Sequence, residues 1–255
     1  MITGGWVRAG GKKICRVLVL ASMLMPGTVR ADELRLVAPH LPPFAYLEDG
    51  KPKGFMLESL LAVATQVGHS GKVSVVPIPR MLQEMAEGHR MMTAFLARTP
   101  ERADRYRWLE TGVEEALSFA TLASDPGPMT LDRAREFRAI ATIGNGVPEN
   151  FLRARGFNNF DSAGTEDAGL RKLLAGRVEA WFTSQWVIPA VIAAENAPRG
   201  LVKLWPPVTR YPLYFAATLD VAPDELAAWA KHLAAFRAAG GIDRLAAPYR
   251  YRPEL

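Results

Sequence analysis

The sequence predicts an α/β protein in which two units of alternating strands and helices follow one another along the chain. Three observations support this prediction. The 255 residues are 49% hydrophobic and 22% charged, a globular balance that excludes wholesale disorder. The first unit has the order strand, helix, strand, helix, strand, which predicts parallel strands joined by right-handed crossovers. A break at residues 125–128 (Asp-Pro-Gly-Pro) then precedes a second set of strands and helices.

Residues 1–31 have the features of a secretory signal peptide. Basic residues precede an apolar run at 17–25, which a Pro-Gly pair ends. Val29 and Ala31 occupy the −3 and −1 positions of a signal peptidase site. As a helix, this run would rise only about 13 Å, much less than the ~30 Å core of a bilayer, which disfavours a spanning helix. We therefore expect export, the alternative being a buried N-terminal helix.

The basic excess of the chain lies entirely in this leader. The chain has 31 Lys and Arg against 26 Asp and Glu, and residues 1–31 hold five of the basic residues and none of the acidic ones. Residues 32–255 are therefore formally neutral, so the basic pI gives no reason to expect a nucleic acid partner. The single cysteine, Cys15, also lies in the leader, so the mature chain can form no disulfide or thiolate metal site. An exported chain of this size without cysteine suggests the bacterial periplasm.

Hydrophobic periodicity predicts the elements of the first unit. Polar and apolar residues alternate at 33–38, as in a strand, and 54–67 has the pattern of a mostly buried helix that ends at Gly68. Thr99 suits an N-cap and Pro100 the first helical position, so a helix is expected to begin there. The other expected elements of this unit are strands at 72–77, 91–96 and 115–123 and a helix at 80–87.

The second unit repeats the alternation. A strand at 137–143 is followed by the tight turn Gly-Asn-Gly and by a helix at 148–155, with Pro148 near its start. A last helix begins near Asp224, and its apolar residues recur at spacings of three and four. The other expected elements are a helix at 165–175, strands at 178–184 and 201–206, and a strand at 211–219 that returns the chain to the first unit.

Four stretches then stand out in order along the chain. They are residues 43–58 (PFAYLEDGKPKGFMLE), 81–102 (MLQEMAEGHRMMTAFLARTPER), 173–184 (LLAGRVEAWFTS) and 224–249 (DELAAWAKHLAAFRAAGGIDRLAAPY). Together they resemble the family 3 periplasmic solute-binding proteins, the type that delivers amino acids to ABC importers. The resemblance implies a two-lobed periplasmic-binding-protein fold with a ligand cleft that closes by hinge motion. The implied lobes are residues 32–123 with 211–255 (lobe 1) and 124–210 (lobe 2).

The resemblance also implies a carboxylate grip in lobe 1. Arg102 stands where the family places an arginine that holds the ligand α-carboxylate, and a guanidinium fork fits a carboxylate through two hydrogen bonds. Thr99 stands where a hydroxyl or backbone donor often assists, and Phe44 would approach the cleft wall. The alternatives are a solvated surface arginine for Arg102 and a core aromatic for Phe44.

Lobe 2 departs from the family pattern. Ser184 stands where the family commonly has the acid that holds the ligand ammonium, and a hydroxyl cannot supply that charge. Val147 and Pro148 follow the second-lobe turn, where hydroxyls are usual, and Pro148 has no N–H. Leu41 replaces an aromatic residue of the family. Recognition of a standard α-amino acid is therefore in question, although the carboxylate grip is retained.

Three further side chains have alternative roles. Arg98 is either a second cation in the cleft, which would suit a diacid, or a surface charge. Trp186 is a candidate for the cleft lining, with core packing as the alternative. Strand alternation puts Trp181 on the face opposite Ser184, which favours core packing for Trp181.

These observations favour a binding protein. We expect a periplasmic monomer that captures an amino acid or a related small carboxylate for an ABC permease, without a metal or other cofactor. The four histidines lack metal-ligand spacing, and Glu179 is a poor candidate for a catalytic acid or base. The alternatives are a ligand-sensing subunit for a membrane partner and a periplasmic dehydratase-like enzyme that acts on cyclohexadienyl acids.

Overall fold

The computed structural model describes residues 33–198 and 200–249, so the predicted signal peptide lies outside the described residues. The first half of the chain alternates strands and helices as expected. It contains β1 (Arg35–Pro39), β2 (Tyr46–Glu48), β3 (Lys51–Lys53), α1 (Phe55–Gln66), β4 (Val73–Val76), α2 (Ile78–Glu87), β5 (Met91–Ala97) and β6 (Tyr106–Leu122). β2 and β3 form a short hairpin about the turn at Asp49 and Gly50.

The second half continues the alternation. It contains α3 (Leu131–Arg135), β7 (Ile140–Ile143), α4 (Val147–Arg153), β8 (Phe160–Ala163), α5 (Glu166–Leu174), β9 (Ala180–Ser184), α6 (Val187–Ala194) and β10 (Val202–Leu204). β11 (Thr209–Thr218), α7 (Pro223–Ala238), α8 (Gly241–Ala246) and a 3₁₀ turn (Ala247–Tyr249) complete the described chain.

The main sheet of the described residues has the strand order β4-β1-β5-β11-β6-β9-β7-β8, and β10 pairs with β6. β1 lies parallel to both β4 and β5, as the strand-helix-strand order predicts. β7 lies parallel to β8 and β9 in the second group. The long strands β6 and β11 are antiparallel to each other and to their outer neighbours, and they lie between the two parallel groups.

β6 and β11 carry the chain between the two parallel groups. The first part of β6 pairs with β11, and its last part pairs with β9 and β10. The predicted strand at 115–123 covers only the second part of β6. The first part is interrupted near Gly112, where the register shifts and φ is +76°, and this bulge obscures the alternation. The predicted lobe limits, after residues 123 and 210, fall just after β6 and inside β11, and they stay predictions.

The helix predicted to begin at Thr99 is absent, and that prediction was wrong. Residues 100–105 instead form successive turns, in which the amide of Arg102 donates to the carbonyl of Thr99 and that of Arg105 to the carbonyl of Arg102. The reason is the early start of β6 at Tyr106, which leaves too few residues for a helix. These turns hold Arg102 beside the carboxyl end of β5.

A continuous apolar core supports both parallel groups. It extends from α1, through Leu57 and Leu60, to Trp181 of β9 and Trp229 of α7. Val37 belongs to a second cluster, which alternation along β1 assigns to the other face of the sheet. Within 33–198 and 200–249, no helix has the length and apolar character needed to cross a membrane.

Candidate functional site

A cavity lies where the parallel strands of both groups end. Pro39 ends β1, Ala97 ends β5, Ile143 ends β7 and Ser184 ends β9, and all four residues line it. The carboxyl ends of parallel strands are the usual position of ligand sites in open α/β sheets. The cavity contains about 610 Å³ of space not filled by atoms, part of which is open to solvent. Most of its lining is apolar: Leu41, Ile78, Met81, Leu82, Phe95, Leu96, Val147, Val187 and Leu213.

Arg102 is the one positively charged side chain among the described residues that line this cavity. It is half-buried, and burial lowers the pKa of its guanidinium from the ordinary value. In the part of the chain that the structure describes, no carboxylate forms a salt bridge with it. A desolvated guanidinium without an internal partner is suited to an anionic group of a ligand.

Glu115, a buried residue of β6, places a carboxyl group in the same lining. Tyr211 faces it directly across the β6–β11 ladder, and the Tyr211 hydroxyl donates to Glu115 Oε2. Cross-strand partners lie on the same face of a sheet, which explains this contact. The Ser184 side chain, on the neighbouring strand β9, also hydrogen-bonds Glu115. Ser184 Oγ additionally accepts from the backbone amide of Trp186 at 3.1 Å.

Glu166 is the second buried acid of the cavity. It begins α5, and β9 supplies its partners: Trp181 Nε1 donates to Oε2 at 3.0 Å and Thr183 Oγ1 donates to Oε1 at 2.7 Å. Trp181 and Thr183 are two residues apart on a strand and therefore share a face. A carboxylate in the first turn of a helix would ordinarily face solvent, and these two donors hold Glu166 inside instead.

The pKa values of these groups depend chiefly on burial. Burial raises the pKa of Glu115, although the hydrogen bonds from Tyr211 and Ser184 oppose the change. Burial, together with the negative charge of Glu115, raises the pKa of Glu166 to about 7. Burial and the adjacent Glu115 raise the pKa of Tyr211 well above its ordinary value. The cavity thus contains two acids that resist simultaneous ionisation.

The structure brings two of the six sequence-predicted site residues, Arg102 and Ser184, to the cavity lining. Thr99 hydrogen-bonds the exposed Glu101 and lowers its pKa. Arg98 is exposed, with its guanidinium carbon 5.9 Å from the centroid of the Trp108 ring. None of the other four predicted residues is in the described lining, and the binding roles of all six stay predictions.

The two predicted aromatic residues pack together beside the cavity. Phe44 is fully buried, and its ring centroid lies 4.9 Å from that of Phe95 and 5.2 Å from that of Phe55. Trp186 is partly buried, 5.1 Å from Phe55 between centroids, and its Nε1 donates to the carbonyl of Glu114 at 3.4 Å. Phe95 does line the cavity, so the aromatic cluster supports the wall from behind.

Residues 36–250 match the model of a protein family described as bacterial extracellular solute-binding proteins, family 3. The chain belongs to this family. The match covers β1 to the last described turn, and therefore includes every element that lines the cavity. No curated protein sequence matches the chain significantly.

Solved structures share the fold of this family 3 chain. A histidine kinase sensor domain with similarity to periplasmic binding proteins matches with a TM-score of 0.77 and 17% identity, over 84% of this chain and 95% of that one. An ancestral arginine-binding protein bound to arginine matches with a TM-score of 0.73 and 18% identity, over 86% and 98%. The arginine-, lysine-, histidine-binding protein ArtJ from Geobacillus stearothermophilus matches with a TM-score of 0.71 and 16% identity, over 88% and 98%.

Sequence reasoning missed the three polar residues that dominate the cavity: Glu115, Glu166 and Tyr211. Glu115 follows another glutamate on a strand of mixed polarity, and Glu166 precedes Asp167 at a helix start. Both patterns are typical of solvated faces. The one available signal was Ser184, because the resemblance implies an acid at this position and its absence draws attention to acids elsewhere in the chain.

Gly169 of α5 sets how closely the Trp181 indole approaches Glu166. A Cβ at position 169 would lie 2.8 Å from Trp181 Nε1 and 3.0 Å from its Cδ1. We expect Gly169→Ala to lower the free energy of unfolding by about 1–3 kcal/mol, because the indole must move in a packed core. Urea denaturation followed by circular dichroism measures this change. Gly164→Ala is the control, since nothing lies within 4 Å of its added Cβ, and an equal loss in both variants would contradict the prediction.

Proposed function

We propose that the protein is a periplasmic solute-binding protein that captures a small carboxylate with a positively charged group, most simply an amino acid. The observation that carries this proposal is the arrangement of the cavity lining. Arg102, a half-buried guanidinium that forms no salt bridge with a described residue, and two buried acids, Glu115 and Glu166, line one apolar cavity at the strand ends. A dipolar ligand would satisfy both charges at once, with its carboxylate on Arg102.

The path of the chain supports a hinge between two lobes. The proposed lobes are residues 32–123 with 211–255 and residues 124–210, and β6 and β11 would be the crossing segments. Glu115 and Tyr211 lie on these segments, whereas Arg102 and Glu166 lie on either side of them. A ligand that contacts both sides would favour the closed conformation by differential binding.

The solved structures support the ligand class. Among the similar solved structures, one protein is bound to arginine, another is bound to glutamine, and ArtJ binds arginine, lysine and histidine. By analogy, we propose a ligand of this class for the present chain. Ser184, which lacks the charge expected for ammonium binding, contacts Glu115, so Glu115 would supply that charge from the neighbouring strand.

A thermal-shift screen of the purified protein tests the proposal. The panel comprises amino acids, amines, monocarboxylates and dicarboxylates. At about 100 times its dissociation constant, a ligand stabilises by about 2.7 kcal/mol, which corresponds to a rise in Tm of roughly 5–10 °C for a chain of this size. We expect this rise with at least one amino acid, and a smaller or absent rise with amines that lack a carboxylate. Equal stabilisation by amines with and without the carboxylate would refute the role of Arg102.

The proposed partner is an ABC permease, and the alternative is a membrane-bound sensor. The fold occurs in both settings, because the substrate binding protein of an amino acid ABC transporter and a histidine kinase sensor domain share it. Deletion of the gene in the source bacterium separates the two roles. Loss of uptake of the radiolabelled ligand supports transport, whereas intact uptake with loss of a ligand-induced transcriptional response supports sensing.

A second candidate function, dehydration of a cyclohexadienyl acid, is favoured by one observation. Glu166 has a pKa of about 7 and lines the same cavity as Arg102, so a fraction of its carboxyl groups is protonated near neutral pH. Such a group can act as a general acid towards a leaving hydroxyl. Appearance of an aromatic product from a cyclohexadienyl acid, abolished by Glu166→Gln, would support the enzyme. Tight binding of an amino acid without any turnover would support the binding protein.

A further inference from the structure

Glu115 and Glu166 are two buried acids that have no cationic partner within residues 33–198 and 200–249. Their residues are 7% and 9% exposed, and both line the cavity. Their hydrogen-bond partners are neutral hydroxyl and indole groups of Tyr211, Ser184, Thr183 and Trp181. Among the described residues, neither carboxylate forms a salt bridge. A buried carboxylate without a counter-charge is costly, so this arrangement requires a compensating charge or a proton.

Glu149, a buried acid outside the cavity, does have a cationic partner. Arg153 Nη2 lies 2.6 Å from its Oε1, and Thr142 and Ser162 also hydrogen-bond it. Burial opposes ionisation of Glu149, but these hydrogen bonds outweigh it and lower its pKa. Glu149 does not line the cavity. The missing counter-charge is therefore a local property of the cavity acids.

A buried hydroxyl on the face of the sheet that holds Glu166 also lacks a partner among the described residues. Ser118 of β6 is fully buried, and its Oγ has no hydrogen-bond partner in the part of the chain that the structure describes. Ser118 pairs with Thr183 across the β6–β9 ladder, so the two side chains lie on the same face of the sheet. Thr183 lines the cavity and donates to Glu166. An unsatisfied polar group thus lies on the face that holds Glu166.

The charged and titratable groups near Glu115 and Glu166 lie on three segments around them. Arg102 follows β5, Tyr211 lies on β11 and Asp167 follows Glu166 on α5. Arg102 interacts with Tyr211, which itself donates to Glu115, and the charge of Asp167 adds to the rise in the pKa of Glu166. β9 contributes only neutral donors. Glu166 therefore experiences the negative charges of Glu115 and Asp167, with burial as the largest cause of its raised pKa.

We propose that Glu115 and Glu166 form the subsite for the positively charged group of the ligand, and that a proton held by the pair in the ligand-free protein leaves when that group binds. This inference rests on the proposed function of the same cavity. An O–H bond of one carboxyl group breaks, its electron pair stays on the oxygen, and the proton passes to the buffer. The entering ammonium or guanidinium group then donates hydrogen bonds to two carboxylates whose repulsion it offsets.

Isothermal titration calorimetry tests this exchange with four named probes. L-arginine and L-lysine carry an additional cation, L-glutamine is a zwitterion, and succinate is a diacid without a cation. Titrations at pH 6.5 in phosphate and in Bis-Tris, which both buffer at this pH but differ in ionisation enthalpy, count the protons released. We expect release of about one proton with a cationic probe. We also expect its affinity to fall roughly 100-fold from pH 8 to pH 5, about tenfold for each unit below the upper pKa of the pair.

Matched variants separate the pair from general charge effects. Glu115→Gln and Glu166→Gln should each reduce the proton release and flatten the dependence of affinity on pH. Glu114→Gln is the control, because Glu114 is the neighbouring exposed acid on the same strand. Carbon-13 NMR of the glutamate carboxyl groups in the ligand-free protein gives a reading that needs no ligand. We expect one carboxyl of the pair to titrate above pH 6, and titration of both below pH 5 would overturn the inference.

The binding outcomes distinguish this inference from the proposed function. Binding of a cationic probe without proton release, at the same affinity at pH 5 and pH 8, would overturn the inference and leave amino acid capture standing. Binding of succinate alone would overturn the cationic subsite and leave carboxylate capture standing. Failure of all four probes to bind would count against both.

Discussion

Replacement of Arg102 by alanine is expected to weaken binding of the ligand by about tenfold to 150-fold. The guanidinium lines the cavity, is half-buried and forms no salt bridge among the described residues, so its hydrogen-bonding capacity is available to a carboxylate. A hydrogen bond to a charged group contributes about 1.5–3 kcal/mol, and the loss of this free energy raises the dissociation constant by about tenfold to 150-fold. Calorimetric titration of the best ligand from the thermal-shift panel measures the change.

Arg98→Ala is the matched control for this substitution. This substitution removes the same charge four residues earlier in the chain. The Arg98 side chain, however, is exposed and lies against Trp108 rather than in the cavity lining. We expect a change of less than about twofold, as for a screened surface charge. Equal affinities for wild type and Arg102→Ala, or a larger loss for Arg98→Ala, would contradict the assigned carboxylate grip.

Glu166→Gln is expected to alter the pH dependence of stability. The pKa of Glu166 is raised from 4.5 to about 7 in the folded protein. The folded state therefore binds the proton more tightly than the unfolded state, and wild-type stability falls as pH rises from about 4.5 to about 7. Glutamine removes this loss, so the variant should gain about 2–3 kcal/mol relative to wild type between pH 5 and pH 8. The Gln carbonyl can still accept from Trp181, and the Thr183 hydroxyl can reverse to accept from the amide.

Urea denaturation at pH 5 and pH 8 measures this difference, and Glu149→Gln provides the contrast. The pKa of Glu149 is lowered from 4.5 in the folded protein, so Glu149 is mostly ionised in both the folded and the unfolded state between pH 5 and pH 8. Its substitution should lower stability by the same amount at both pH values. A constant difference between wild type and Glu166→Gln across the range would contradict the raised pKa of Glu166.

Local sequence patterns predicted the framework of the fold but not the full length of its central strands. Alternation at 33–38 and the helices that follow it correspond to β1, α1 and α2, because each of these elements buries one regular face. The pattern at Thr99 and Pro100 failed because a helix start signal is local, whereas the strand that begins at Tyr106 is fixed by pairing with β11. Tertiary pairing overrode a favourable cap.

The difference between local sequence patterns and tertiary pairing also explains which cavity residues could be predicted from the sequence. Arg102 and Ser184 were found through motifs at fixed positions in the chain. Glu115 and Tyr211 meet only through the register of two strands that lie about a hundred residues apart, which no local pattern encodes. Glu166 has the sequence context of an exposed helix start, and it is buried only because Trp181 and Thr183 extend towards it from β9.

A crystal structure of the protein with the panel ligand that gives the largest thermal shift would show whether Arg102 and the two buried acids bind that ligand. We expect the ligand in the cavity at the strand ends, with its carboxylate in bidentate contact with the Arg102 guanidinium and its positively charged group within hydrogen-bond distance of Glu115 or Glu166. A ligand bound away from this cavity, or one that lies in it with Arg102 turned to solvent, would contradict the account.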